Sequence, residues 1–188
     1  MTFLVCLLEE PSAREMLEAI LPKVLPQNVS VRYRVFEGKQ DLEKQLARRI
    51  REWNKFPDTY FLVMRDQDSG NCLSIKERLR QKIETSGKPD RTLIRIACRE
   101  LESFYLGDLQ AVEQGLKIKH VADRQEQKKY RTPDYLGNPC AELEKLTRQN
   151  YQKIQGSRDI APHLQLNGSN RSHSFNVLIS GLRDLFSG

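Results

Sequence analysis

The chain has 188 residues, of which 38% are hydrophobic and 30% charged, and its formal net charge is +6. These figures exclude a disordered, collagenous or membrane-spanning polypeptide and suit one domain with a modest appendage. Lys and Arg outnumber Asp and Glu by 31 to 25, which permits a polyanionic partner without requiring one.

The longest unbroken apolar run, Phe3 to Leu8, is far shorter than a bilayer span. It ends in Glu9-Glu10, without the basic start or small-residue cleavage site of a signal peptide. The mature chain is therefore expected to begin at Met1 and stay in the cytoplasm, with no membrane partner. Cys6, Cys72, Cys98 and Cys140 are scattered, with no paired spacing. Reduced thiols are expected rather than zinc ligands or disulfides.

In chain order, Phe3 to Leu8 reads as a strand buried on both faces. Pro11-Ser12 opens a helix carrying Met16, Leu17, Ile20 and Leu21, limited by Pro22 and Pro26. Val29 to Phe36 alternates apolar residues with Arg32 and Arg34, as a half-exposed edge strand would. Leu42, Leu46, Ile50 and Trp53 mark an amphipathic helix over 41–53. Tyr60 to Met64 is a central strand, and Leu73, Leu79 and Ile83 mark the next helix, ended by Ser86-Gly87. Thr92 to Cys98 is a fourth strand, followed by a helix with Leu101, Phe104, Tyr105 and Leu109. The alternation predicts an open, mostly parallel, doubly wound (Rossmann-like) α/β sheet with helices on both faces.

After Leu116 the pattern weakens. Residues 117–131 hold six Lys or Arg against two acids, and Pro133, Gly137 and Pro139 punctuate a loop. Helices are expected from Ala141 to Tyr151 and from Phe175 to Phe186. The division is thus an α/β domain over 1–116 and a loop and helical extension over 117–188 packed on it.

Ligands of open parallel sheets bind at the carboxyl ends of the strands. Glu9 and Glu10 follow the first strand, Asp66-Gln67-Asp68 the third, and Glu100-Leu101-Glu102 the fourth. Alternate residues leaving a strand point to one side, so Asp66 and Asp68 are expected to reach one cation. Mg²⁺ or Mn²⁺ suits such oxygen donors, and clustered acids need a metal, a shared proton or intervening Arg and Lys. The plainer alternative is that Asp68-Ser69-Gly70-Asn71 is only a turn and helix cap, and that Glu100 and Glu102 only favour a helix N-terminus.

With Phe61-Leu62-Val63-Met64-Arg65-Asp66-Gln67-Asp68, the pattern resembles the Toprim signature, a glutamate after the first strand and a later strand ending in Asp-x-Asp. Over nearly its whole length the chain resembles a bacterial Toprim-like family, domain of unknown function family 4276. The residues that carry this are Leu8-Glu9-Glu10-Pro11-Ser12, Asp66-Gln67-Asp68, Arg99 to Asp108, Tyr151-Gln152-Lys153 and Ser172-His173-Ser174-Phe175. The resemblance implies a Mg²⁺-dependent nuclease acting on DNA or RNA, encoded beside an ATPase in phage-defence operons. Glu9, Asp66 and Asp68 would then hold the metal, with Glu100 and Glu102 completing the site. Lys153 and Arg158 would stabilise phosphorane-like charge. Toprim glutamates are usually followed by Gly, whereas Pro11 follows Glu10 here, so either Glu9 or Glu10 can be the ligand.

Lys76, Arg78, Arg80 and Lys82, with Arg48, Arg49 and Arg51, could meet a phosphate backbone or simply be solvated helix faces. A phosphoacceptor role for Asp66 is disfavoured by Arg99-Glu100-Leu101-Glu102 where Ser or Thr would be needed. A non-catalytic subunit binding nucleic acid or an ATPase is the remaining alternative, since no G-x-x-x-x-G-K-[ST] loop occurs. Trp53 is expected in the core, and Ser172 or Ser174 as a helix cap. Asp108 is either a supporting acid or a helix-surface residue.

Overall fold

A computed structural model describes residues 1–187. Its strands are β1 (Thr2–Leu8), β2 (Val29–Val35), β3 (Thr59–Asp66) and β4 (Thr92–Ala97), in one sheet of order β2-β1-β3-β4. All three pairings are parallel, which is the open α/β sheet expected from the sequence. The two most apolar strands, β1 and β3, take the centre, where both faces are covered. β2 lies at an edge and leaves Arg32 and Arg34 exposed.

The period-2 alternation of each central strand divides the molecule into two packing layers. Leu4, Cys6 and Leu8 of β1 and Leu62 and Met64 of β3 face α1 (Pro11–Val24), meeting Met16, Leu17 and Ile20. Val5, Leu7, Phe61 and Val63 face the other way, onto α2 (Lys39–Arg51) and α3 (Cys72–Glu84), meeting Leu42, Leu46, Leu79 and Ile83. β1 passes through α1 to β2 on one side, whereas β2 returns through α2 to β3 on the other. The order therefore reverses between β1 and β3, and a crevice opens at their carboxyl ends. Helix α1 carries Pro22 inside its last turn and ends before Pro26.

Beyond β4 the single expected helix is two, α4 (Glu102–Leu106) and α5 (Leu109–Leu116). Asp108 divides them, because its carboxylate accepts from Ala111 N at 3.1 Å as the N-cap of α5, and from Gln165 N at 2.8 Å. The tail contains α6 (Lys128–Arg131), α7 (Pro139–Leu146), α8 (Lys153–Ile160) and α9 (His173–Asp184). The helix expected to run to Tyr151 stops at Leu146. Thr147 Oγ1 donates back to Leu143 O, and Arg148 and Gln149 take left-handed φ angles of 52° and 66°. The turn frees the chain to begin α8, which the sequence pattern did not reveal. Ser172 caps α9 as expected, its hydroxyl accepting from Phe175 N.

Tyr130, Leu143, Ile160, Phe175, Leu178 and Leu182 from the tail join the α1-side core. The approach of α5 to α8 needs a glycine at 115. A Cβ there would lie 2.5 Å from Asp159 O and 2.6 Å from Ile160 Cα. Because the obstacle is backbone, Gly115→Ala should cost about 2–3 kcal/mol. Urea unfolding checks this, and a Gly115→Ala midpoint equal to wild type would contradict such a close helix contact.

Candidate acidic site at the strand ends

At the crevice the ends of β1 and β3 are tied both by backbone, Glu9 N donating to Met64 O at 3.2 Å, and by a side chain. Glu9, the residue after β1, turns its carboxylate onto the backbone of the last residue of β3, and Asp66 N donates to Glu9 Oε2 at 3.0 Å. Burial raises the Glu9 pKa, while the Asp66 N–H and the nearby Arg65 guanidinium oppose that rise.

Asp66 shares the parity of Leu62 and Met64, so its side chain emerges on the α1 and tail side and is 6% exposed. Its pKa is raised well above the ordinary carboxylate range, first by burial and then by the charges of Glu10, Glu102 and Glu9, with Lys153 opposing. Glu102, the first residue of α4, is fully buried. One of its oxygens, Oε1, accepts from the Tyr151 hydroxyl at 2.8 Å, whereas Oε2 is buried with no hydrogen-bond partner. Burial raises the Glu102 pKa too, against the pull of Lys153 and Tyr151.

The tail supplies the counter-charge. Lys153, at the start of α8, lies 3.4 Å from Glu10 Oε2, which also accepts from Ser12 Oγ at 3.2 Å. Burial alone would lower the Lys153 pKa, but Glu102, Glu10 and Asp66 carry it above its usual value. The Cys140 thiol beside them is pushed up to about 12 by burial and by Glu102, so it stays protonated at neutral pH.

The other predicted acids go elsewhere. β3 ends at Asp66, and Asp68 sits in a tight turn with φ 54°. Its carboxylate therefore swings to the α2 side, 2.7 Å from Lys39 Nζ and 3.6 Å from Arg65 Nη2. The structure does not bring Asp66 and Asp68 to one point. Glu100 instead accepts from Cys140 N at 2.8 Å and so holds the start of α7. Arg158 pairs with Glu15 at 2.8 Å on the surface. Asp108 is occupied in capping α5.

Two residues at the site fall outside the predicted ligands. Arg65 is 4% exposed and alternates onto the opposite face from Asp66. It donates to Glu43 Oε1 at 2.8 Å and to Asp66 O at 2.9 Å. A lone arginine at the end of an apolar strand was the available signal. Tyr151 satisfies Glu102 across 49 residues of chain, and nothing local in the sequence announces that pairing.

A metal ion can be tested against this donor set. Carboxylate oxygens suit a hard cation, and the orphaned Glu102 Oε2 is a buried acceptor with room in its hydrogen bonding. Among the described residues no three His, Cys, Asp or Glu side chains are set to hold one ion. Mg²⁺ keeps most of its waters and needs only one or two carboxylates, so Asp66 with Glu102 or Glu9 fits that requirement.

The sheet, its switch point and these strand-end acids define the class: an open, all-parallel Rossmann-like α/β protein whose helical tail brings Tyr151 and Lys153 to the strand ends. Residues 8–183 match the family described as Domain of unknown function (DUF4276), and the chain belongs to that family. No curated protein and no solved structure matches it. No helix is long and apolar enough to cross a membrane among the described residues.

Crowded acids have a cost that depends on pH. Asp66, Glu9 and Glu102 have raised pKa values in the folded chain, so protonating them favours folding. That contribution is complete below the ordinary carboxylate range and is lost as pH rises through the raised values. In EDTA at pH 7.5, Asp66→Asn should therefore be more stable than wild type by about 1–2 kcal/mol. The gain should vanish near pH 4. Thermal melts at the two pH values check this, and a destabilised variant at pH 7.5 would contradict the crowding.

Proposed function

We propose that this protein is a Mg²⁺- or Mn²⁺-dependent nuclease that hydrolyses phosphodiester bonds of DNA or RNA at the β1/β3 crevice. The observation that carries the reading is the gathering of Glu10, Glu102 and Glu9 about the buried Asp66, with Lys153 opposing their charge and lying 3.4 Å from Glu10. Three strand ends and the tail supply these residues. The Toprim resemblance of Glu9 and the Asp66-Gln67-Asp68 segment supports it as well.

Asp66 is the first donor to the metal, with Glu9 or Glu10 and Glu102 beside it. A bound ion would polarise the phosphate and make an attacking water more acidic. Glu102, with its raised pKa and unpartnered Oε2, is suited to take a proton at that atom. Lys153 is the cation placed to meet negative charge that develops on the phosphate. Asp68 reaches an ion only by leaving Lys39 and Arg65, so its share is smaller than that of Asp66.

The resemblance supports an ATPase partner in a phage-defence setting, in which this chain is the effector. Four free cysteines are compatible with a reducing cytoplasm. A second reading, a non-catalytic subunit that binds nucleic acid or an ATPase, is favoured by one observation. As they stand, no three donors are set to hold an ion among the described residues.

Calorimetric titration with Mn²⁺ and Mg²⁺ tests the proposal. Wild type should bind, Asp66→Asn should give no heat of binding, and Asp68→Asn should weaken binding by less. Cleavage of DNA or RNA, with and without an ATPase, should fall at least about a hundredfold in Asp66→Asn and Glu102→Gln. A folded wild type that neither binds metal nor cleaves would favour the non-catalytic subunit.

A further inference from the structure

The charge of the chain is not spread evenly. Three adjoining clefts run across the surface next to the strand ends. The first, of about 620 Å³, lies between α2 and α3 and is lined by Lys39, Lys44, Arg78 and Lys82. Gln67, the residue after Asp66, is a wall of this cleft and of the second, which Arg99 and Arg171 also line. Thr132 and Tyr135 are common to the second cleft and the third, where Lys128 and Lys129 lie.

Together the three linings hold nine Lys or Arg and three Asp or Glu, an excess of six. That equals the formal charge of the whole chain, whose remaining Lys and Arg are matched by its remaining Asp and Glu, twenty-two of each. The line of clefts is thus strongly cationic, as is a separate cleft on the tail lined by Lys119, Arg124 and Arg148. Several of these cations are paired only at the surface, as Lys39 is with Asp68 and Lys129 with Glu142. Such exposed pairs are worth little and exchange readily for phosphate.

Between the second and third clefts stands Tyr135, 84% exposed. It is rigidly placed, at the end of a single 3₁₀ turn, Pro133–Tyr135. Pro133 of that turn is buried, and the Asp134 carboxylate accepts from Ser172 Oγ at 2.6 Å and from Ser174 N at 2.8 Å. The floor is fixed as well. Asp68 N donates to Arg99 O at 2.8 Å, and Arg99 N to Gln67 Oε1 at 3.1 Å, which laces the turns after β3 and β4 together. An aromatic face held out to solvent, flanked by cations, is the arrangement that receives unstacked bases.

We infer that these clefts form one track for single-stranded nucleic acid, with Tyr135 as the platform on which a base stacks. The inference rests on the nucleic-acid reading of the acidic site and names the form of the substrate. It also stands without catalysis, because the track's cations and Tyr135 are not the donors proposed for the metal. Phosphates lie along Lys44, Lys82 and Lys128, and the strand passes Gln67, one residue from Asp66.

Fluorescence anisotropy in EDTA, where metal-dependent cleavage is suppressed, tests it with labelled 20-nucleotide oligothymidylate, oligouridylate and a duplex of equal length. One or both single strands should bind more tightly than the duplex. Tyr135→Ala should weaken single-strand binding about tenfold, and Tyr135→Phe should retain it. Lys44→Glu and Lys128→Glu should each weaken it and lower the salt slope by about 1. Arg32→Glu, the same charge change on the far edge of the sheet, should have a smaller effect. Asp66→Asn, which removes a carboxylate that repels phosphate, should bind the single strand no more weakly than wild type, so loss of metal binding and loss of the track are separately visible. Absent oligonucleotide binding, preferred duplex binding, unchanged Tyr135→Ala binding, or equal damage from Arg32→Glu would each overturn the track.

Discussion

Like charges crowd at the one place where the sheet reverses its winding, and much of the molecule answers to that crowding. Glu9 and Asp66 leave adjacent parallel strands and would repel across the crevice if both side chains pointed into it. Instead Glu9 turns its carboxylate onto the Asp66 N–H, which ties the ends of β1 and β3 and leaves the Asp66 carboxylate to the tail side. Glu102 then approaches from α4. The cation that lowers the Asp66 pKa is Lys153, in a helix that begins 87 residues further along the chain. The tail is therefore part of the electrostatics of the site: Tyr151 satisfies one oxygen of Glu102, and Lys153 offsets the remaining charge.

The architecture was legible because it rests on local and periodic signals. Continuous apolar runs identified β1 and β3 as central, and the Arg32/Arg34 alternation identified β2 as an edge. The strand-end acids could be read as well, since a parallel sheet places every such loop on one side. What the sequence could not supply was the path of each loop. Alternation applies only within a strand, and Asp68 lies beyond the end of β3 in a left-handed turn, so its parity with Asp66 carries no information. The break between α7 and α8 depends on Thr147 bonding to the backbone, where the surrounding residues keep an ordinary helical composition. The Tyr151–Glu102 contact is set by tertiary packing alone. It requires Gly156, where any Cβ would strike the Tyr151 ring.

Arg65 and Asp66 show how one peptide step separates two environments. Consecutive strand residues face opposite layers, so Asp66 enters the acidic, buried tail side and Arg65 the α2 side. There Arg65 pairs with Glu43, which also receives Arg78, and lies 3.8 Å from Glu9 and 3.6 Å from Asp68. The buried arginine thus spends its charge locally, and the exposed cations around it, Lys39, Lys44 and Lys82, set the potential of the cleft.

That division resolves an apparent conflict in the site. A cluster of carboxylates repels a polyanion, and a buried cluster repels it more strongly because little solvent intervenes. A substrate phosphate could not approach Asp66 on the attraction of Lys153 alone, since that lysine already faces Glu10 and Glu102. Cations placed one loop away, on the other face of the same strand end, would attract phosphates without pairing to Asp66. Their distance from Asp66 leaves its carboxylate free of an arginine partner, the condition under which clustered acids retain affinity for a cation. The alternation of β3, continued into a turn laced to the one after β4, sets the Asp66 carboxylate on one face and the cleft cations on the other, while Arg65, 3.8 Å from Glu9 Oε2, links the two sides.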